Sequence, residues 1–213
     1  VGKKIIGEFL GTYFLVFAGT GAIVINELTG SLSHIGIAVT FGLVVMALIY
    51  TFGHISGAHF NPAVTIGFYV NGDINKHQAI YYIATQVTAG IAASATILGL
   101  FGNIASLGAT LPSGSWTQSF ILEFFLTFFL MLIILGSAVH EKAIKPFAGV
   151  AIGATVGLEA MFAGPISGAS MNPARSIGPA FVSGIFEHLW IYIVATTLGA
   201  VCAAIVYKQL HEE

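Results

Sequence analysis

Ile55-Ser56-Gly57-Ala58-His59-Phe60-Asn61-Pro62-Ala63 returns, with two changes, as Ile166-Ser167-Gly168-Ala169-Ser170-Met171-Asn172-Pro173-Ala174. The two stretches lie 111 residues apart, and the match resumes at Ile66-Gly67 and Ile177-Gly178. Each reads as a helix start, because Asn is a favoured N-cap and Pro suits the first helical position, where its missing N–H has no partner to lose. Asn71-Gly72 and Ser183-Gly184 supply the stops, so each predicted helix has about nine or ten residues and is roughly 14 Å long. That length spans half a bilayer. The rest of the chain reads as a frame for these two half-helices.

Composition assigns the class. The 213 residues are 56% hydrophobic and 8% charged, with a mean hydropathy of +0.92, whereas soluble domains carry about 25% charged residues. A soluble chain could not cover its surface with so few charges, so residues 1–213 read as one multi-spanning membrane domain. The net charge of −2 gives no sign of nucleic-acid binding. The single cysteine, Cys202, excludes an internal disulfide. No cleavable signal peptide is visible, and the start Val1-Gly2-Lys3-Lys4, without Met, suggests trimming.

Apolar runs long enough to cross about 30 Å of hydrocarbon cover Ile5–Ile25, Ile35–Phe52, Ala79–Leu100, Phe120–Val139, Pro146–Phe162 and Leu189–Tyr207. Each half of the chain holds three of them, with a half-helix after the second. The halves, about 3–100 and 117–209, are repeats: Glu8-Phe9-Leu10-Gly11-Thr12-Tyr13-Phe14-Leu15 aligns with Glu123-Phe124-Phe125-Leu126-Thr127-Phe128-Phe129-Leu130. Three is odd, so the second repeat enters the membrane from the opposite side. The fold expected is an all-α membrane protein of six transmembrane helices and two re-entrant half-helices in an inverted repeat. In it the half-helix N-termini meet near the midplane. Lys3, Lys4, Lys76, Lys142, Lys145 and Lys208 all fall on one side, which places both termini in the cytoplasm.

Two Asn-Pro-Ala boxes in inverted three-span repeats, with Arg175 directly after the second, resemble the aquaporin (major intrinsic protein) family over essentially the whole chain. Pro112-Ser113-Gly114-Ser115, Gly164-Pro165-Ile166-Ser167-Gly168 and Ser170-Met171-Asn172-Pro173 are most similar to its nodulin-like branch and that branch's bacterial relatives. The resemblance implies a homotetramer in the plasma membrane with one pore per subunit, and no cofactor or metal. It also implies a selectivity filter of Phe41, Ala160, Ala169 and Arg175. Members that pass only water resemble one another in carrying His where this chain has Ala160, and glycerol channels often carry Trp where it has Phe41. Several water channels have a pore-lining Cys at the position of Ala169.

The residues themselves support a conduction mechanism. An N-capping Asn accepts through its side-chain oxygen, which fixes the amide and leaves its NH₂ to donate. Asn61 and Asn172 would thus orient a passing water at the midplane and interrupt a proton wire. The two positive helix ends there repel cations. The backbone ahead of each cap is expected to be extended, with carbonyls of Gly57, Ala58, His59, Phe60, Gly168, Ser170 and Met171 forming an acceptor ladder. Arg175 stands about 4.5 Å outward of its cap by helical rise as a donor and cation barrier; its counterpart in the first repeat is Val64.

Glu8 and Glu123, mid-span and equivalent, read as buttresses of the re-entrant backbone rather than pore liners. His54 and His59 read as hydrogen-bonded packing, with a pH sensor as the alternative. Glu159 has no obvious partner and is left to a subunit interface. Gly19, Gly21, Gly42, Gly90, Gly136 and Gly199 read as sites of close helix crossing. With no nucleophile–base pair, metal cluster or phosphate loop, an enzyme is not indicated. A passive channel for water and small neutral solutes leads. Glycerol heads the candidate solutes, with urea and metalloid acids behind it, and a strictly water-selective channel is the alternative. A coupled transporter would need an ionisable pair in its substrate path. A purely structural membrane protein would leave liposomes no more permeable than lipid.

Overall fold

The computed structural model describes residues 2–211, which form helices and no strand. In chain order these are α1 (Gly2–Thr29), α2 (Ser33–Ser56), α3 (Pro62–Asn71), α4 (Lys76–Phe101), α5 (Trp116–Ile134), α6 (Ala148–Ser167), α7 (Pro173–Ser183) and α8 (Leu189–His211). Six are long and apolar enough to cross a membrane, α5 continuing through a π-helical turn to Val139. The short ones, α3 and α7, are the half-helices, ten and eleven residues long. Spans outrun the apolar runs at their ends: α2 continues past Phe52 to Ser56, because nothing in Gly53-His54-Ile55 breaks a helix that Gly57 (φ +90°) can terminate. Gly168 (φ +84°) ends α6 in the same way.

Small residues set the helix crossings. A Cβ on Gly42 of α2 would lie 2.7 Å from the Gly153 carbonyl of α6, and one on Gly199 of α8 would lie 2.3 Å from the Phe124 carbonyl of α5. The half-helix α7 meets α4 backbone to backbone, since a Cβ on Gly178 would lie 2.4 Å from the Gly90 carbonyl. Three glycines depart from the expected role; at Gly21 a Cβ would meet only the tip of Ile97, at 3.9 Å. Gly136 has nothing within 4 Å of its Cβ direction, and Gly19 faces the Phe41 ring rather than a helix backbone. Gly19 therefore makes room for an aromatic side chain. All six lysines lie at the helix ends opposite the α1–α2 connection.

Candidate pore and filter

The two half-helices begin alike. Asn61 (φ −153°, ψ 120°) accepts through Oδ1 from the N–H of Ala63 and Val64, and Asn172 (φ −152°, ψ 108°) accepts from Ala174 and Arg175. Their Nδ2 groups reach across the pseudo-twofold. Asn61 donates to the Met171 carbonyl at 2.7 Å, and Asn172 donates to the Phe60 carbonyl at 2.9 Å. Each amide thus spends one hydrogen on tying the half-helices together and has one left to donate, rather than the whole NH₂. The carbonyls of Phe60 and Met171 are correspondingly half engaged.

The backbone ahead of the caps is not extended. Ala58 and Phe60, and in the second repeat Ala169 and Met171, all lie at positive φ between 43° and 54°. For residues with a Cβ this left-handed conformation costs roughly 1–2 kcal/mol each. It turns successive N–H groups toward one buried carboxylate. Glu8 accepts from Ser56 Oγ (2.7 Å), His59 N–H (3.0 Å), Phe60 N–H (2.8 Å) and Gln86 Nε2 (2.8 Å). Glu123 accepts from Ser167 Oγ (2.7 Å), Ser170 N–H (2.8 Å) and Met171 N–H (2.9 Å). Ser56 and Ser167 also accept from Ala58 and Ala169 N–H. Ser56, Ser167 and Gln86 escaped the sequence reading, although the repeated Ile-Ser-Gly-Ala was the available signal for the serines.

His59 is buried. It stacks on Phe68 at 4.3 Å, meets Tyr82 edge-on, and shares a 3.1 Å hydrogen bond with Thr65. His54 is exposed. Glu159 departs from its assignment. It is 5% exposed within the monomer, so the outward residue of that turn is Leu158 instead. Its Oε2 has no hydrogen-bond partner among the described residues.

Two cavities run end to end along the half-helix tips. The inner one, about 90 Å³, is lined by Gly57, Ala58, His59, Phe60, Asn61, Ser170, Met171 and Asn172, with apolar side chains such as Leu15, Val45 and Val156 opposite. The outer one, about 270 Å³, is lined by Ala160, Gly168 and residues of the outer helix ends. Phe41, Ala169 and Arg175 line both, so the junction falls at three of the four residues expected to form a filter, with Ala160 just outside it. The Arg175 guanidinium carbon sits 5.2 Å from the Phe41 ring centroid, a cation–π geometry. Arg175 Nη1 donates to the Gly108 carbonyl at 2.6 Å. That carbonyl is presented by a left-handed turn, Ala105-Ser106-Leu107 (φ 48°, 50° and 56°). Arg175 is 2% exposed, and its Nε has no partner among the described residues. The paired half-helix ends, apolar lining and single cation suit passage of uncharged molecules.

The family model described as Major intrinsic protein matches residues 1–207. The chain belongs to that family. It is 47% identical to Nodulin-26 of Glycine max over 208 residues, 97% of this chain and 77% of that protein. It is 48% identical to Aquaporin NIP1-4 of Oryza sativa subsp. japonica over 98% of this chain and 77% of that protein. Among solved structures it is similar to the aquaglyceroporin from Plasmodium falciparum, with a TM-score of 0.85 and 29% identity. That match covers 98% of this chain and 96% of the other.

The cysteine position gives a direct check on the pore placement in this major intrinsic protein. Cys202 lies half-buried on α8 and lines neither cavity, whereas Ala169 lines both. Water flux should therefore resist mercurials, and Ala169→Cys should become strongly inhibited. Inhibition of the unmodified protein that disappears in Cys202→Ala would contradict this placement.

Proposed function

We propose that this chain is a passive channel, rather than an enzyme, conducting water and small neutral solutes while excluding protons and ions. Glycerol is the first solute expected, with urea and metalloid acids as further candidates. The observation that carries the reading is the junction of the two cavities, where Arg175 and Phe41 meet the methyl side chain of Ala169, with that of Ala160 just beyond it in the outer cavity. Arg175 donates to a hydroxyl or carbonyl and repels cations, and Phe41 offers one apolar wall. Such a site suits a solute with one hydrocarbon edge and one hydroxyl edge. The solved structure it resembles, from Plasmodium falciparum, is that of an aquaglyceroporin, which supports the same class.

Oxygen of a water or hydroxyl at the midplane would accept from the remaining Nδ2 hydrogens of Asn61 and Asn172. Its own hydrogens then point away from both, which breaks a continuous proton wire. Carbonyls of Gly57, Ala58, His59, Gly168 and Ser170, with the free lone pairs of Phe60 and Met171, would act as acceptors along the path. Glu8 and Glu123 would hold that backbone in place. Assembly as a homotetramer with one pore per subunit, in the plasma membrane with cytoplasmic termini, belongs to the same reading. The one-sided lysines support the orientation.

Stopped-flow measurements on proteoliposomes test the function. Water and glycerol should both permeate well above the lipid background, linearly with their gradients and without ion dependence. Ala160→His should narrow the filter and add a donor, cutting glycerol flux about tenfold more than water flux, as one excluded hydroxyl contact plus overpacking would. If the native protein passes water but no small neutral solute, the strictly water-selective reading replaces this one.

A further inference from the structure

The outer vestibule carries a polar group that the filter does not include. Among the side chains lining the 270 Å³ cavity, only His34 and Arg175 bear hydrogen-bonding groups; the others are Ile23, Ile37, Leu111, Phe41 and alanines. His34 occupies the first turn of α2, two turns and about 10 Å outward of Phe41 by helical rise. Its ring is seated in a built position. A Cβ on Gly164 of α6 would lie 2.6 Å from His34 Cε1, so Gly164 leaves the space the imidazole fills. Nε2 lies 2.7 Å from the Met161 carbonyl. A carbonyl only accepts, so Nε2 carries the hydrogen, and in the neutral ring Nδ1 is a bare acceptor.

We infer that His34 is a second solute-selecting residue, its Nδ1 accepting from a hydroxyl of a small neutral polyol while Arg175 donates to the next oxygen. This rests on the neutral-solute channel proposed above. A polyol entering the vestibule leaves bulk hydration for walls that are otherwise apolar, so one fixed acceptor and one fixed donor replace what it loses. Water needs only one of them, because its neighbours in file supply the rest. The charged groups of the elements around it supply no alternative acceptor: Glu27 of α1 is exposed, Glu159 of α6 does not line the cavity, and residues 102–115 include no ionisable side chain.

The test is the ratio of glycerol to water permeability in proteoliposomes, for the native chain, His34→Phe and His34→Gln. His34→Phe keeps a ring against Gly164 without nitrogens and should lower the ratio about fivefold, the worth of one hydrogen bond of ordinary strength. His34→Gln keeps an acceptor and should stay near the native ratio. A Phe variant with the native ratio overturns the assignment of His34 while leaving the channel intact. Should the Phe variant show no water flux, His34→Leu takes its place, and a native ratio there overturns the assignment. Native protein that passes water but no glycerol would instead overturn the wide-filter reading itself, and His34 with it.

Discussion

Glu8→Leu and Glu123→Leu should each abolish water flux and sharply lower the yield of folded protein, Glu8 the more severely. Leucine is close in volume and cheaper to bury than a carboxylate, so an argument from hydropathy alone would forecast a gain. The hydrogen bonds decide otherwise. Four donors converge on Glu8 and three on Glu123: the N–H groups of His59, Phe60, Ser170 and Met171 belong to the re-entrant segments, Ser56 and Ser167 close α2 and α6, and Gln86 stands on α4. The re-entrant segments have no helical partners for those N–H groups and no bulk water beside them. Each stranded donor costs about 1–3 kcal/mol, and several at once approach the whole stability of a typical domain, about 5–15 kcal/mol. The left-handed residues Ala58, Phe60, Ala169 and Met171 would also lose what holds them there. Glu→Gln is the informative intermediate, keeping one acceptor oxygen but turning an NH₂ toward an N–H. Thermal unfolding in detergent should rank native above Gln above Leu, and flux per folded molecule should follow the same order. Native stability in either Leu variant would show that these carboxylates do not brace the pore.

What the sequence discloses here follows the range of the interactions. Asn-Pro at a helix start and Asn-Gly or Ser-Gly at its end are local signals, so the half-helices α3 and α7 could be bounded to within a residue or two. The six spans were legible for the same reason, since each is a long apolar run of its own. Contacts between distant segments were not. No local pattern says that Gly108 will offer its carbonyl to Arg175, because that depends on three left-handed residues in a stretch that reads only as a loop. Gln86 looks like an ordinary polar residue on α4 until the fold carries it to Glu8. The expectation of extended backbone ahead of the caps failed on a similar point. Extended residues would alternate their N–H groups to opposite sides, whereas one carboxylate gathers His59 with Phe60, and the other Ser170 with Met171. Glu159 misled because charge in a membrane span suggests a surface with a partner, while its place on α6 turns it inward beside Leu158.

The second large effect is expected at the half-helix junction, from Asn61→Asp and Asn172→Asp. Either change looks mild by capping rules. Aspartate is as good an N-cap as asparagine, and its charge against a helix N-terminus is favourable by about 0.3–1 kcal/mol. The cross-link is what the substitution destroys. Asn61 Nδ2 lies 2.7 Å from the Met171 carbonyl and Asn172 Nδ2 lies 2.9 Å from the Phe60 carbonyl. A carboxylate oxygen in that place sets acceptor against acceptor in a site about 5% exposed, so an attractive contact becomes a repulsive one. The hydrogen left to donate goes as well, and a negative charge replaces it beside two positive helix ends. Each single variant should therefore unfold at lower temperature, conduct less water and leak cations that the native pore excludes. The stability loss should be about 1–3 kcal/mol per broken bond. The double variant tests whether the two cross-links act together. Because each ties the same pair of half-helices, breaking the second should cost more than breaking the first, and a double-mutant cycle measures the excess. Native water flux and ion exclusion in both single variants would mean that the amides serve only as caps and that orientation of the permeant at the midplane depends on the helix ends alone.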